Sequence, residues 1–132
     1  MNTKLLYPIV FILMMLTGCN AAVNIQGKVA GIDSGRFFYQ DGNLVTEYKM
    51  DIDVVWRACE KTVTDLKATE IQKERKISGG MIEAVIDEDK VTIKVEYLGR
   101  DLTSVSILVG ATGNNMASRL IQDRISDNMT KR

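Results

Sequence analysis

The sequence predicts an α+β fold: an antiparallel β meander with two amphipathic helices packed on one face, in the order ββ-α-ββββ-α. Three observations predict it. Most strand-like segments alternate apolar and polar residues, so each has one face to bury and one to leave in water. Two longer stretches, around Val55 to Leu66 and Ala117 to Met129, repeat apolar residues at spacings of three and four, the pattern of a helix with one buried stripe. Short polar turns join the segments. Stacking both helices on one sheet face satisfies every stripe at once, which makes a two-layer domain.

The elements follow in order. Folded structure is expected to open at Arg36-Phe-Phe-Tyr-Gln40, and Asp41-Gly42 is a strong hairpin dipeptide because Gly accepts positive φ. Leu44 to Met50 continues as a strand, with Leu44, Thr46, Tyr48 and Met50 on one face and Glu47 and Lys49 on the other. Asp51 or Asp53 caps the first helix. Its stripe is Val55, Cys59, Val63 and Leu66, widened by Trp56 and Ala58, while Arg57, Glu60, Lys61, Thr64 and Lys67 face away. Thr69 to Ile77 is so charged that it reads as an edge strand. Gly79-Gly80 reads as a turn before a strand from Met81 to Ile86, and Asp87-Glu88-Asp89 as the next turn. In the strand Lys90 to Leu98, Val91, Ile93, Val95 and Tyr97 alternate with Thr92, Lys94 and Glu96. Gly99-Arg100-Asp101 turns again, and Thr103 to Gly110 points Val105, Ile107 and Val109 inward. After Gly113-Asn114-Asn115, the last helix is expected to bury Ala117, Leu120, Ile121, Ile125 and Met129, with Lys131-Arg132 at its negative end. Trp56, Leu66, Ile93, Ile107 and Ile121 are the expected fillers of the core.

Ahead of this domain, residues 1–18 read as a cleaved export signal. Lys4 is the positive n-region, and Leu5 to Leu16 is a 12-residue run without charge. Such a run falls short of the about 20 apolar residues that span a bilayer and fits the h-region of a signal peptide. Leu16-Thr17-Gly18-Cys19 then resembles the bacterial lipobox. The motif needs an apolar residue three before the Cys, small residues to enter the signal peptidase, and a thiol nucleophile. Leu16, Thr17, Gly18 and Cys19 supply each. The resemblance implies a diacylglyceryl thioether on Cys19, cleavage before it and an acyl chain on the new amino terminus, added by the lipoprotein maturation enzymes. Two or more chains give stable attachment, so Cys19 is the expected link to the membrane. Asn20 stands where an Asp retains such proteins in the inner membrane of enteric-type bacteria, which implies the outer membrane with the domain facing the periplasm. Residues 19–34 are the lipidated Cys and a small, polar tether whose reach is about 20 Å, and residues 35–132 are the single domain.

Composition narrows the function. The 132 residues hold 17 Lys+Arg, 17 Asp+Glu and no His. That balance argues against nucleic acid as a partner, which needs a basic excess, and the missing His removes the commonest general base. With Cys19 alkylated, Cys59 has no disulfide partner and is expected to be buried as a small hydrophobe.

From Gly42 to Arg132 the chain resembles a family of small bacterial lipoproteins known as domain of unknown function 3568. The resemblance rests on Gly42 to Tyr48 leading into Val55-Trp56-Arg57-Ala58, on Gly79-Gly80-Met81-Ile82-Glu83-Ala84, on Val91-Thr92-Ile93-Lys94-Val95, on Val105-Ser106-Ile107 with Val109-Gly110, and on the closing helix. It implies an envelope location and a small α+β fold, and it brings no activity. The long, charged Thr69 to Ile77 segment departs from the more apolar strand the family leads one to expect.

No motif carries a reaction. Asp87-Glu88-Asp89 lacks the Gly and distal Glu of a calcium loop. Glu83 and Glu96 share a wet face, as solvated side chains do without any catalysis. No phosphate loop, metal set or nucleophile elbow occurs, so neither metal nor cofactor is expected beyond the lipid on Cys19. Phe37-Phe38-Tyr39 is the one unusual apolar cluster. Consecutive strand residues point to opposite faces, so at least one ring is expected to be exposed as a partner contact or covered by the tether. The expected function is a non-enzymatic, lipid-anchored envelope protein with a structural or protein-interaction role at the outer membrane, with an unidentified envelope protein as partner. The alternative is a carrier or sensor of a small apolar ligand held between sheet and helices, which needs a cavity of several hundred Å³.

Overall fold

A computed structural model describes residues 34–130. The order is β1 (Ser34–Gln40), β2 (Asn43–Tyr48), α1 (Ile52–Asp65), β3 (Thr69–Lys76), β4 (Gly79–Ile86), β5 (Asp89–Gly99), β6 (Leu102–Val109) and α2 (Asn115–Thr130). The fold is α+β, with the strands in one six-stranded antiparallel sheet. The leader, Leu16, Thr17, Gly18, Cys19, the tether as far as Asp33, and Lys131-Arg132 lie outside the described residues.

The sheet is not one continuous meander. Its order is β1-β2-β6-β5-β4-β3, so β2 pairs with β6 and α1 carries the chain across to the far edge. Length permits this. Four strand spacings are about 19 Å, and a helix of 14 residues is about 21 Å long. The first hairpin thereby extends the other four strands instead of leading into them.

Alternation decides which face is buried. Leu44, Thr46 and Tyr48 of β2, Ile82 and Ala84 of β4, Val91, Ile93 and Val95 of β5, and Thr103, Val105, Ile107 and Val109 of β6 are all buried. Ile52, Val55, Trp56, Ala58, Cys59 and Val63 of α1 and Ile121 and Ile125 of α2 join most of them in one cluster. Leu66, past the end of α1, is only partly buried against it. Gly80 shows how tight the packing is, because a Cβ there would come within 2.5 Å of the Trp56 ring.

Local chemistry sets the ends of the helices. Asp51 caps α1 by accepting a 2.9 Å hydrogen bond from the Asp53 N–H. At its other end, Lys67 takes a positive φ of 55°. The Lys67 N–H donates to the Thr64 carbonyl and that of Ala68 to the Val63 carbonyl, both at 3.0 Å, which closes the helix as a Schellman motif without glycine. Asn114 caps α2, its side-chain oxygen accepting from the Ala117 N–H at 3.1 Å.

Several boundaries and faces differ from expectation. Gly79 and Gly80 open β4, and the turn is Ile77-Ser78, because Lys76 pairs with Gly79. Asp89 and Gly99 likewise belong to β5. The turn before β5 is Asp87-Glu88 alone, with φ of 48° and 72°, the left-handed pair that matches strand twist. Tyr97 is half-exposed although the alternation points it inward: its partner Thr103 on β6 is buried, but the pairing with β4 ends at Gly79 and Glu96, one residue short of it. Leu120 is 67% exposed instead of buried. The stripe of α2 turns out to include Ser118, Gln122, Ser126 and Asn128, which rotates the buried face away from Leu120.

Candidate interaction surface at the first sheet edge

β1 is an outer strand of the sheet, and among the described residues its far side has no partner. Phe37 pairs with Thr46, Phe38 with Val45 and Tyr39 with Leu44. Phe37 and Tyr39 therefore share the face of buried Thr46 and Leu44, and Phe38 takes the other. All the rings stay partly open, at 38%, 44% and 44% exposure, because no element closes over that edge.

Helix α2 supplies the other wall. The Arg119 guanidinium stacks over the Phe37 ring, 4.3 Å from its centre. Met116, three residues earlier, is 78% exposed, and Leu120 lies four residues after Met116 on the same side of the helix. Gly42 and Gly113 pin the two walls together. Gly113 has φ of +94° and a Cβ there would come within 2.4 Å of the Gly42 carbonyl oxygen, so the hairpin tip sits against the start of α2. The sequence singled out Phe37, Phe38 and Tyr39 but missed Met116 and Arg119, and it assigned Leu120 to the core. The available signal was the i, i+4 pair Met116 and Leu120, which falls beside the Ile121 and Ile125 stripe.

The opposite edge is built differently. Every residue of β3 is exposed, and Glu70 takes a φ of 52° where the pairing with β4 slips between Thr69 and Gln72. Lys73 reaches Glu60 at 3.2 Å, and Arg75 reaches Asp53 at 2.8 Å while lying over Trp56. Arg75 also donates to the carbonyls of Lys76, Ile77 and Gly79. On the other face of the sheet an open groove of about 470 Å³ runs between Glu74, Lys76, Met81, Lys94 and Glu96. Its charges alternate in sign.

The other singled-out residues and the shifted titratable groups lie elsewhere in the fold. Cys59 is fully buried, and burial pushes its thiol up to about 12, with Glu60 adding to the effect, so it stays protonated. Tyr48 is likewise pushed up to about 12 by burial, against the lowering effect of its 3.2 Å hydrogen bond with Ser126. Asp65 is held low by its hydrogen bonds from Lys61 and Asn128. Glu83 and Glu96 do share a face, but Glu96 pairs with Gly79, four residues before Glu83 on β4, a separation of about 13 Å. Glu83 instead pairs with Lys90 at 3.4 Å. Among the described residues, no group of three or more acidic or Cys side chains is placed to hold a metal, and no helix is long and apolar enough to cross a membrane.

No curated protein matches the chain. A family model does, and its match starts far ahead of Gly42, taking in Lys4, the uncharged run from Leu5 to Leu16 and Cys19 as well as the described residues. The chain belongs to the family described as Protein of unknown function (DUF3568), whose model covers residues 3–128.

Proposed function

We propose that this protein is a lipid-anchored component of a bacterial cell envelope, held at the outer membrane by acyl chains on Cys19 with its domain in the periplasm. One observation carries the reading: Leu16-Thr17-Gly18-Cys19 directly follows a charged n-region and an uncharged run too short to span a bilayer. The family match from residue 3 adds support, because it takes leader and domain as one unit.

The domain itself is a two-layer unit in this proposal, with α1 and α2 side by side over one sheet face. The hydrogen bonds from Asn128 to Thr62 and Asp65, and the Tyr48 contact with Ser126, support that arrangement. Its role is structural or adhesive rather than enzymatic: it presents a surface close to the membrane and engages another envelope component. Trp56 packed against Gly80, with Ile93 and Ile107 fully buried beside it, favours this over a carrier of apolar ligands.

Metabolic labelling with a fatty-acid analogue tests the anchor. Wild-type protein is expected to take up label and fractionate with membranes, and Cys19→Ala to do neither. Equal labelling of both proteins would remove the anchored reading.

A further inference from the structure

We propose that Phe37 and Tyr39 of β1, with Met116, Arg119 and Leu120 of α2, form the face that the domain lays against the lipid bilayer. The inference deepens the anchored reading and rests on it. Cys19 precedes Ser34 by 15 residues, and a chain of that length spans at most about 50 Å. β1 is therefore the first described element after the anchor, and Phe37 lies about 10 Å along it. The surface nearest the membrane by chain connectivity is also the one that exposes rings, a thioether and a leucine around a cation.

The chemistry suits the headgroup layer. Aromatic rings settle at the boundary between acyl chains and water, and a guanidinium forks onto a lipid phosphate. Arg119 already lies over Phe37, so the charge and the ring face the same way. Asp41 at the hairpin tip and the exposed Asp123, one turn beyond Arg119, bound the patch and keep the contact shallow. The shape argues for a lipid surface over a docked strand. A strand added to β1 would follow the sheet edge and leave Met116 and Leu120, which stand on the helix, uncovered. A broad surface covers both walls together.

The test uses the full-length acylated protein in vesicles of phosphatidylethanolamine and phosphatidylglycerol. Leu120→Cys carries a nitrobenzoxadiazole label, with Lys76→Cys on the far sheet edge as the reference and Met116→Cys as the second patch position. Cys59 is buried and does not compete for label. A blue-shifted emission and severalfold stronger quenching by doxyl-labelled phospholipid are expected at Leu120→Cys and Met116→Cys than at Lys76→Cys. Equal, weak quenching at all positions, in protein that still sediments with the vesicles, would overturn the lipid-facing surface and leave the anchor standing. Weak quenching with crosslinking from position 120 to a second copy or to another envelope protein would overturn it too, and give the patch to a protein. Wild-type protein that stays in the supernatant, as Cys19→Ala is expected to, would remove both the anchor and this proposal.

Discussion

The two helices bury comparable faces by opposite means. α1 buries Ile52, Val55, Trp56, Ala58, Cys59 and Val63, and its one buried polar side chain, Thr62, is satisfied by the Ala58 carbonyl at 2.8 Å. α2 buries only Ile121 and Ile125 among large apolar residues and adds Ser118, Gln122, Ser126 and Asn128. Asn128 finds partners on α1, and Ser126 meets Tyr48. The Ser118 hydroxyl and the Gln122 side-chain oxygen, both buried, make no hydrogen bond among the described residues. The lesson concerns how stability is distributed. α1 rests on apolar area, whereas α2 rests on a few apolar anchors and on polar contacts whose net worth is small. A helix so weakly apolar on its inner side is free to carry Met116 and Leu120 on its outer side.

The comparison breaks first at Trp56. Trp56→Ala is expected to lower unfolding free energy in urea by about 3–5 kcal/mol, since the ring fills the space above Gly80. A loss as small as that from an exposed site would end the claim that α1 is the apolar helix.

Alkaline titration sharpens it next. Cys59 and Tyr48 both have folded values near 12, above the usual 9.0 and 10.0, so the unfolded chain releases these protons first. Stability is therefore full below about pH 9 and falls as pH rises towards 12, by up to about 1.4 kcal/mol per pH unit for each group. Tyr48→Phe is expected to flatten the slope between pH 10 and 12, read from urea midpoints across pH. An unchanged slope would mean that the hydroxyl is not sealed beneath α2.

The caps should cost less and should cost alike. Asp51→Ala and Asn114→Ala each remove a bond to a helix N-terminal N–H and are expected to lose about 1 kcal/mol. A much larger loss for Asn114→Ala, by thermal denaturation, would show that α2 depends on its first turn more than on its anchors.

The smallest effects separate the helices most cleanly. Ser118→Ala deletes an unpartnered buried hydroxyl and is expected to be neutral or to stabilise by up to about 1 kcal/mol. The mirror change on α1, Ala58→Ser, puts a hydroxyl into the apolar cluster, where the carbonyl one turn back can accept its proton, and is expected to destabilise by up to about 1 kcal/mol. Leu120→Ser is expected to stay within about 0.5 kcal/mol of wild type, because that side chain is exposed. Calorimetry on the three variants decides between them.

Most elements were legible because alternation and helical spacing are local properties. The stripe from Val55 to Val63, the Asp41-Gly42 turn, the Asp51 cap and the charged edge of β3 follow from neighbours a few residues apart. The misplaced turn at Gly79-Gly80 shows where local reasoning fails. Gly80 serves the approach of Trp56, from an element more than twenty residues earlier, and Gly79 that of the Val95 carbonyl, and a close approach leaves the same mark in a sequence as a turn does. Leu120 failed for a related reason, since its neighbours Ile121 and Ile125 fit two helix faces and only the polar residues of α2 chose between them. Of the candidate surface, the rings of β1 were visible as an anomaly, but Arg119 and Met116 came to them only through the fold.

What the sequence alone determined is the order of the elements and most of their buried faces, Cys59 among them, because side-chain polarity and backbone preference act within a few residues. Which strand lies beside which was decided by tertiary structure. β2 pairs with β6 across more than fifty residues, and Arg119 meets Phe37 across more than eighty. Such neighbours are selected by how the whole set packs, since any one strand edge offers the same row of donors and acceptors to many partners.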